Sequence, residues 1–322
     1  MTLTRGWSIR PFAEIESQAW DEMVARSCSG TFLHTRRFLA YHGDRFEDLS
    51  ILVDDERGRL RAVLPAARDP LCAERIISHP GSTFGGLVHD PSLRGEKVVA
   101  CLEEIRDHYR GLGFTTMRYR AVPTIYHRVP AQDDLYGLFR LHARRVRCDL
   151  SATIDLLARP ALRENRRSAR RRAERSGVRV EADWSLAEEF WGVLLEALAV
   201  RHGAAPTHTF EEIARLRERF PSNISLVAAT VEGRVVAGAV LFRAPPTLHT
   251  QYLASNDLGR AVAALDPVIE ASITLAVESG CRYFDFGHSN EEDGRILNDS
   301  LYEFKVSFGA GGVIHDHFEL EL

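Results

Sequence analysis

The sequence comprises 322 residues, of which 45% are hydrophobic and 27% charged, with a formal net charge of −4 at pH 7. A chain of this length forms one large globular domain or two domains of about 150 residues. No apolar run is long enough to span a membrane, the N-terminal segment lacks the apolar core of a signal peptide, and the five cysteines form no CxxC pair. We therefore expect a cytoplasmic protein with reduced thiols, no metal site and no integral membrane association.

The first part of the chain predicts short strands and helices in alternation. Residues 49–67 (LSILVDDERGRLRAVLPAA) indicate two strands joined by a turn, and residues 95–114 indicate a helix that ends at glycine. A proline-containing connection at 123–134 follows, and a second series of elements begins near residue 146. We therefore expect two domains, residues 1–145 and residues 146–322.

The second part continues with strands, one helix and a further strand. Residues 224–255 predict three strands separated by turns. A helix is then indicated by Asp266 as N-cap, Pro267 in the first turn and Gly280 after its end. The strand CRYFDFG follows at 281–287. Both parts therefore predict mixed α/β units, one in each half of the chain.

A strongly basic block lies between Arg159 and Arg179, where nine arginines face only two glutamates. It predicts a helix from about residue 161 to residue 176. Two interpretations stay open: a solvated charged face, or a docking surface for a polyanion such as a phosphate-bearing carrier or tRNA. In the second case the candidate polyanion-binding residues are Arg166, Arg170 and Arg171. The rest of the chain is acidic and carries no recognition motif, which argues against DNA as a partner.

The strand CRYFDFG places a carboxylate among apolar residues. Alternation puts Phe284 and Phe286 on one face of the strand and Asp285 on the other. Asp285 must therefore find hydrogen-bond donors, line a cleft, or bond the backbone of a turn. His288 comes just after the strand, where ligands of α/β sheets often bind, and it is either a site residue or a surface histidine.

Lys305 is unusual because nearly all positively charged residues of this chain are arginines. Only Lys97 and Lys305 are lysines among 41 basic residues. Ser300 and Glu303 form a capping-box pattern, and Gly309 ends the short helix predicted over residues 301–308. Lys305 shares the apolar stripe of this helix, so its ammonium either reaches water along its stem or ends in an internal cleft. The arginine bias favours a function that needs a compact cation.

Several stretches of the chain resemble one family. The strings YFDFG (283–287) and GRILNDSLYEFKVSFGA (294–310), preceded by residues 249–280, resemble the FemABX-like branch of the GNAT-type N-acyltransferase superfamily. Residues 78–88, 126–139 and 201–224 are also similar to that group, in particular to uncharacterised acyltransferase-like proteins of surface-polysaccharide gene clusters. The resemblance covers most of the chain. It implies two tandem GNAT-like domains, each a mixed central sheet flanked by helices.

Family members transfer an activated acyl or aminoacyl group to an amine. The resemblance therefore implies an N-acyltransferase of cell-envelope or natural-product biosynthesis. The sequence shows no Ser-His-Asp or Cys-His signature of a covalent acyl-enzyme, so we expect direct attack by the amine. The donor would be aminoacyl-tRNA or acyl-CoA, the acceptor a small or carrier-linked amine, and no cofactor would be tightly bound. The usual GNAT phosphate-binding loop is incomplete in SNDLGRAVAALDP, where only Gly259 matches, and this favours tRNA or another carrier over coenzyme A.

The resemblance assigns a role to Lys305, and the chemistry of amine attack adds candidates for the base. Lys305 matches the lysine that stabilises transition-state charge in the tRNA-dependent members, and Asp285 and His288 are the candidates for the catalytic base. The expected substrate-binding residues are Phe304, Tyr252, Ser255, Asn298, Arg201, His208, His79, Gly85 and Gly86. The alternative function is a catalytically silent GNAT-like module that binds a nucleotide-sugar or a carrier.

Overall fold

A computed structural model describes residues 6–202 and 206–322, apart from the side chains of residues 200–202. The chain divides into two compact units. The first comprises the described residues up to Asp149 together with Glu292–Ile296 and Ile314–Leu322, and the second comprises Leu150–Glu291 and Leu297–Val313. Neither unit is continuous in sequence, whereas the expected domains, 1–145 and 146–322, are. The domain division stays a prediction.

The elements before the second unit are, in chain order, β1 (Ser8–Pro11), α1 (Ser17–Arg26), α2 (Arg36–Leu39), β2 (Ile51–Asp54), β3 (Leu60–Leu64), β4 (Ala67–Asp69), β5 (Cys72–Ile77), β6 (Val88–His89), α3 (Glu96–Gly111), β7 (Thr116–Arg120) and α4 (Asp133–Arg140). The remaining elements are β8 (Arg144–Asp155), α5 (Glu164–Arg175), β9 (Arg179–Glu181), α6 (Ala187–His202), α7 (Phe210–Arg219), β10 (Ile224–Val231), β11 (Arg234–Ala244), β12 (Thr247–Ser255), α8 (Asp257–Ala261), α9 (Leu265–Glu278), β13 (Tyr283–His288), β14 (Asn290–Glu291), β15 (Ile296–Leu297), α10 (Asp299–Val306) and β16 (Gly311–Glu321).

In the first unit, β1, β2, β3 and β6 form an antiparallel sheet in that order. Strands β4, β5, β7 and β16 also pair in sequence, with β5 and β7 parallel. Helix α3 repeats apolar residues every three or four positions, so that Val98, Leu102, Ile105 and Tyr109 enter one buried core. This face explains why α3 was predictable from the sequence.

In the second unit, the strand order is β8, β13, β12, β11, β10 and β9. All neighbours are antiparallel except β12 and β13, which are parallel and are joined through α9. One face of this sheet packs against α9, whose Ile269 and Ile273 share a core with Leu248, Phe284 and Phe286. We call this the α9 face.

The opposite face of the second unit's sheet packs against α6, and we call it the α6 face. A Cβ on Gly238 would lie 2.6 Å from the ring of Phe190, so the absent side chain lets α6 approach β11. Trp191 of α6 contacts Tyr252 of β12 edge to face at 5.2 Å. The mixed α/β fold class predicted from the sequence, with sheets flanked by helices, is confirmed.

Some predicted helix ends were wrong. Helix α10 begins after Asn298, whose side chain accepts a hydrogen bond from the N–H of Leu301, so Ser300 is not the cap. Helix α9 begins after Ala264, which places Asp266 inside the first turn rather than at the N-cap. Helix α5 is shorter than the predicted 161–176. Local patterns give several polar residues near a helix start, and the tertiary structure selects one of them.

Candidate active site

A cavity of about 590 Å³ lies in the second unit. Its wall combines apolar side chains with cationic and hydrogen-bonding groups: Arg166, Ala169, Arg172, Leu253, Ser255, Gly259, Arg260, Ala263, Leu265, Asp266, Asn298, Ser300, Leu301 and Phe304. Ligand sites for small molecules and cofactors commonly have volumes of roughly 300–1,000 Å³. Four residues predicted from the sequence as binding residues therefore lie in one wall: Phe304, Ser255, Asn298 and Arg166.

The two parallel strands beside this cavity separate after a short paired segment. Thr247–His249 of β12 pair with Tyr283–Asp285 of β13, and β12 then continues to Ser255. Within the described part of the chain, the last six residues of β12 have no partner on the side of β13. The open strand edge presents backbone N–H and C=O groups to whatever lies beside it.

A bulge decides which side chains of β12 reach each face. Val240 of β11 is paired with Tyr252 and Leu241 with Thr250, so Gln251 is an extra residue in β12. The bulge reverses the alternation of side chains along the strand. His249 and Tyr252 therefore share the α6 face, whereas Leu253 and Ser255, which line the cavity, share the α9 face.

Lys305 is buried, and its ammonium ends inside the second unit. The Nζ donates hydrogen bonds to the carbonyl oxygens of Gly287 (2.9 Å) and His288 (2.8 Å) and to the hydroxyl of Ser289 (2.9 Å). These three bonds use every N–H of the ammonium. Burial lowers the pKa of Lys305 to about 8, while the carboxylate of Asp285 acts in the opposite direction. Of the two alternatives left by the sequence, the internal one is therefore observed.

Asp285 is fully buried on the α6 face and is held by side chains. Its Oδ1 accepts hydrogen bonds from Ser151 (2.5 Å) and Thr153 (2.7 Å) of β8. Its Oδ2 lies 2.7 Å from Nδ1 of His249. Asp285 thus finds hydrogen-bond donors, which was one of the alternatives that the sequence left open. It is buried and bonds the ring of His249 instead of being exposed at the surface.

His288, the other predicted base, has an exposed side chain, and its carbonyl accepts one of the Lys305 bonds. His208 and Tyr252 bond each other on the α6 face, with 2.7 Å between Nδ1 and the phenol oxygen. Burial raises the pKa of Tyr252, so its hydroxyl is neutral. The side chain of Arg201 lies outside the described residues.

The three arginines predicted to bind a polyanion occupy two different environments. Arg166 lies in the cavity wall, bonds the buried Asp266 at 3.1 Å and covers the ring of Phe304 at 5.2 Å. Arg170 and Arg171 are exposed on α5 and pair with glutamates of the same helix. Burial raises the pKa of Asp266 to about 6 against the opposing effect of the neighbouring arginines. Arg166 therefore contributes to the cavity, and the other two contribute to an outer surface.

His79, Gly85 and Gly86 lie in the first unit, in the segment 78–86. A Cβ on Gly85 would lie 2.0 Å from the carbonyl oxygen of Ser78, and one on Gly86 would lie 2.9 Å from the hydroxyl of Tyr119. Burial lowers the pKa of His79 to about 3. Close packing thus accounts for both glycines, and their role in substrate binding stays a prediction.

Sequence reasoning missed His249, Arg172, Arg260 and Ser289. His249 lies 36 positions from Asp285, and only the parallel register of β12 and β13 brings the two together. The available signal was a histidine within the predicted strand TLHTQYL, and three other polar residues of that strand weaken it. Within the described part of the chain, no group of three or more His, Cys, Asp or Glu side chains could hold a metal ion, and no helix is long and apolar enough to cross a membrane.

Comparisons with known proteins match one segment of the chain to a family model. Residues 160–299 match the family model of the acetyltransferase (GNAT) domain, a segment that contains His249 and Asp285 and ends before Lys305. The search of curated proteins found no match. The GNAT-type resemblance inferred from the sequence is thereby confirmed.

Solved structures share the fold over nearly the whole chain. The crystal structure of FemX has a TM-score of 0.69 at 13% identity and covers 98% of this chain and 97% of its own. The L-PGS of Bacillus licheniformis has a TM-score of 0.61 at 12% identity, with 94% and 91% covered. A tandem GNAT protein from the clavulanic acid biosynthesis pathway has a TM-score of 0.52 at 13% identity, with 98% of both chains covered. The chain therefore has the FemX-like, tandem GNAT fold expected from its sequence, and the comparisons support an acyltransferase.

Proposed function

Taking the GNAT match of residues 160–299 as the premise, we propose that this protein is an N-acyltransferase that moves an acyl or aminoacyl group from a carrier to an amine. The observation that carries the proposal is the separation of β12 from β13 beside a cavity lined by arginines. The open edge of β12 offers backbone groups to an extended donor arm, as strand edges do for extended peptides. Arg172 and Arg260 place positive charge where the anionic part of a carrier would lie.

Direct attack by the amine fits the contacts around His249. A covalent acyl-enzyme needs a serine or cysteine bonded to the free nitrogen of the catalytic histidine. Among the described residues, no hydroxyl or thiol bonds Nε2 of His249, and Ser151 bonds Asp285 instead. The amine nitrogen would therefore attack the donor carbonyl itself.

We assign Lys305 to the stabilisation of this reaction. Attack on the carbonyl creates an oxyanion, which requires preorganised donors or a cation. The ammonium of Lys305 lies under the end of β13 and fixes three consecutive residues, Gly287, His288 and Ser289. Its positive charge stabilises the oxyanion electrostatically, since little water screens it in the interior. Its hydrogen bonds hold the end of β13 in a single position.

The donor can be tested with acetyl-CoA, longer acyl-CoAs and a mixture of aminoacyl-tRNAs, each with a panel of amines, by mass spectrometry of the amide formed. We expect an amide with one donor class. Arg172→Glu should raise the KM for that donor by about tenfold or more, because a charge-assisted contact contributes roughly 1.5–3 kcal/mol. Failure of every donor to give an amide would contradict the proposed function.

Variants on the outer surface of α5 can distinguish a tRNA donor from a coenzyme A donor. Reversal of Arg170 and Arg171 to glutamate should raise the KM and flatten the salt dependence of binding if the donor is carried on tRNA, because a long polyanion contacts more of the helix. With coenzyme A as carrier, the same double variant should behave like the parent. Arg57→Glu with Arg110→Glu, two exposed arginines of the first unit, is the control for net charge.

A further inference from the structure

We propose that His249 is the base that removes the proton from the acceptor amine and that Asp285 is its positioning residue, an inference that rests on the proposed acyl transfer. His249 and Asp285 are the last pair of residues in the register of β12 and β13, immediately before the two strands separate. The base therefore stands at the point where a reacting carbonyl could enter between the strands.

The contacts of Asp285 determine the tautomer of His249. A carboxylate that already accepts hydrogen bonds from Ser151 and Thr153 also accepts one from the imidazole, so the proton of the ring is carried by Nδ1. The lone pair is then on Nε2. The same bonds hold Asp285 in a single orientation, which fixes the plane of the ring.

Nε2 of His249 is available to a substrate. Among the described residues it has no hydrogen-bond partner, and the side chain keeps 13% of its surface exposed. Gly287 borders the ring: a Cβ at this position would lie 3.2 Å from Cε1 and 4.0 Å from Nε2 of His249. With φ of +78°, this position also favours glycine for its backbone conformation. A side chain there would crowd the basic nitrogen.

The two faces of β12 give donor and acceptor separate approaches. The cavity that would hold the carrier is lined by Leu253 and Ser255 on the α9 face. His249 lies on the α6 face, as does Tyr252, which contacts Trp191. An amine that approaches from the α6 side therefore meets Nε2 of His249 before it meets a carbonyl held between the strands. This arrangement keeps the proton acceptor on the side from which the nucleophile arrives.

The reaction balances with these groups alone. The amine nitrogen forms a bond to the carbonyl carbon, and the π electron pair moves to the oxygen. Nε2 of His249 takes one N–H proton, which gives an imidazolium beside the carboxylate of Asp285. The pair on oxygen then re-forms the carbonyl and breaks the bond to the carrier, whose sulfur or oxygen receives the proton from the imidazolium. The products are the amide and the protonated carrier.

The other titratable groups of the second unit are less suited to this role. Lys305 donates all three of its N–H bonds, and Nδ1 of His208 is occupied by Tyr252. His288 is exposed and lies three positions beyond Asp285, the last residue of β13 that pairs with β12. His249 combines a fixed tautomer, a free nitrogen and a position at the strand separation.

The test compares His249→Gln, His249→Ala and Asp285→Asn with the parent, using whichever of acetyl-CoA or aminoacyl-tRNA gives an amide. His249→Gln keeps a donor toward Asp285 but has no base, so kcat should fall by roughly 10²–10⁴-fold with donor KM unchanged. Free imidazole should restore activity to His249→Ala. Hydroxylamine, whose nitrogen is neutral at pH 7, should be a relatively better acceptor for the variants than for the parent.

Controls separate a lost base from a damaged fold. Melting temperatures are measured for every variant, and His108→Gln, on α3 of the first unit, is the matched control. Asp285→Asn should lower kcat less than His249→Gln, because the base is still present but its tautomer is no longer fixed.

Two results would overturn the assignment. One is a His249→Gln enzyme with parental kcat, and the other is loss of activity in His249→Ala without rescue by imidazole while His288→Gln shows a rescuable loss. A parent without activity toward any donor would remove the proposed function, and the assignment with it.

Discussion

Each unit contains a cationic side chain, the half-buried Arg120 or the buried Lys305, that donates hydrogen bonds to backbone carbonyls of one chain segment. In the first unit, Arg120 donates from one guanidinium nitrogen to the carbonyls of Pro80 and Ser82. In the second unit, Lys305 donates to two carbonyls and one hydroxyl of residues 287–289. Burial lowers both pKa values, to about 10 for Arg120 and to about 8 for Lys305.

The segment 78–86, which binds Arg120, and the segment 283–289, which binds Lys305, differ in the groups that pack against them. The segment 78–86 is closed by its own packing, since Gly85 touches the backbone of Ser78 and donates its N–H to the carbonyl of Arg120. The segment 283–289 contributes Asp285 to the pair with His249, whose Nε2 remains available. A buried cation is therefore not evidence of a site by itself. The second segment differs because a neighbouring side chain, His249, has a ring nitrogen available to a substrate.

The comparison also explains why a lysine stands at position 305. Three acceptors converge on one point there, and the tetrahedral ammonium can direct a hydrogen bond to each. A guanidinium distributes its donors over a planar fork, which suits the pair of carbonyls at Arg120 but not three converging oxygens.

Among variants of the two cations, Lys305→Ala is expected to have the largest effect. Loss of the charge and of three hydrogen bonds at the end of β13 should lower kcat by about 10²–10³-fold, with little change in donor KM. The melting temperature should also fall, because buried acceptors lose their partner. Kinetics and thermal unfolding measure both, and Lys97→Ala, in the first unit, is the matched control. Parental kcat in Lys305→Ala would contradict the assigned role.

A smaller loss is expected for Lys305→Arg. The charge returns, but the planar group cannot bond all three acceptors, and one lost charge-assisted hydrogen bond costs roughly 1.5–3 kcal/mol. We therefore expect kcat about 10–100-fold below the parent. Full activity of this variant would show that position 305 needs only a positive charge.

The next effect is a loss of activity at alkaline pH. Lys305 loses its proton above pH of about 8, so kcat should fall by about tenfold for each further pH unit. Stability should change in the opposite direction: between pH of about 8 and the ordinary lysine pKa, the unfolded chain binds the proton more tightly, and the free energy of unfolding rises with pH. A kcat–pH profile with parallel denaturant unfolding tests both, and Lys305→Arg should lack the alkaline limb.

The smallest effect on activity is expected for Arg120→Ala. Removal of the guanidinium leaves the carbonyls of Pro80 and Ser82 without this donor, which should destabilise the first unit by about 1–3 kcal/mol. Because the segment is closed by packing, kcat and both KM values of the folded enzyme should stay within about twofold of the parent. A rise in acceptor KM would instead support the predicted binding role of His79, Gly85 and Gly86.

Much of the fold could be predicted because local patterns specify it. Helix α3 and the strands β2, β3 and β13 follow from apolar periodicity, and Lys305 was found from composition alone. The N-cap of α10 could not be predicted, since both Asn298 and Ser300 are good caps and only packing selects the first. His249 could not be predicted either, because a strand sequence does not indicate which partner it meets.

Residue type and local pattern are sufficient to show that position 305 is a lysine in an arginine-rich chain and that Asp285 lies in a largely apolar strand. Periodicity, caps and residue type carry that information within a few positions of the chain. Three features become visible only in the folded chain: Asp285 bonds His249, Lys305 bonds residues 287–289, and Arg166 lines a cavity while Arg170 and Arg171 do not. These are pairings between distant positions, and they depend on strand register, on the bulge at Gln251 and on which helix covers each face.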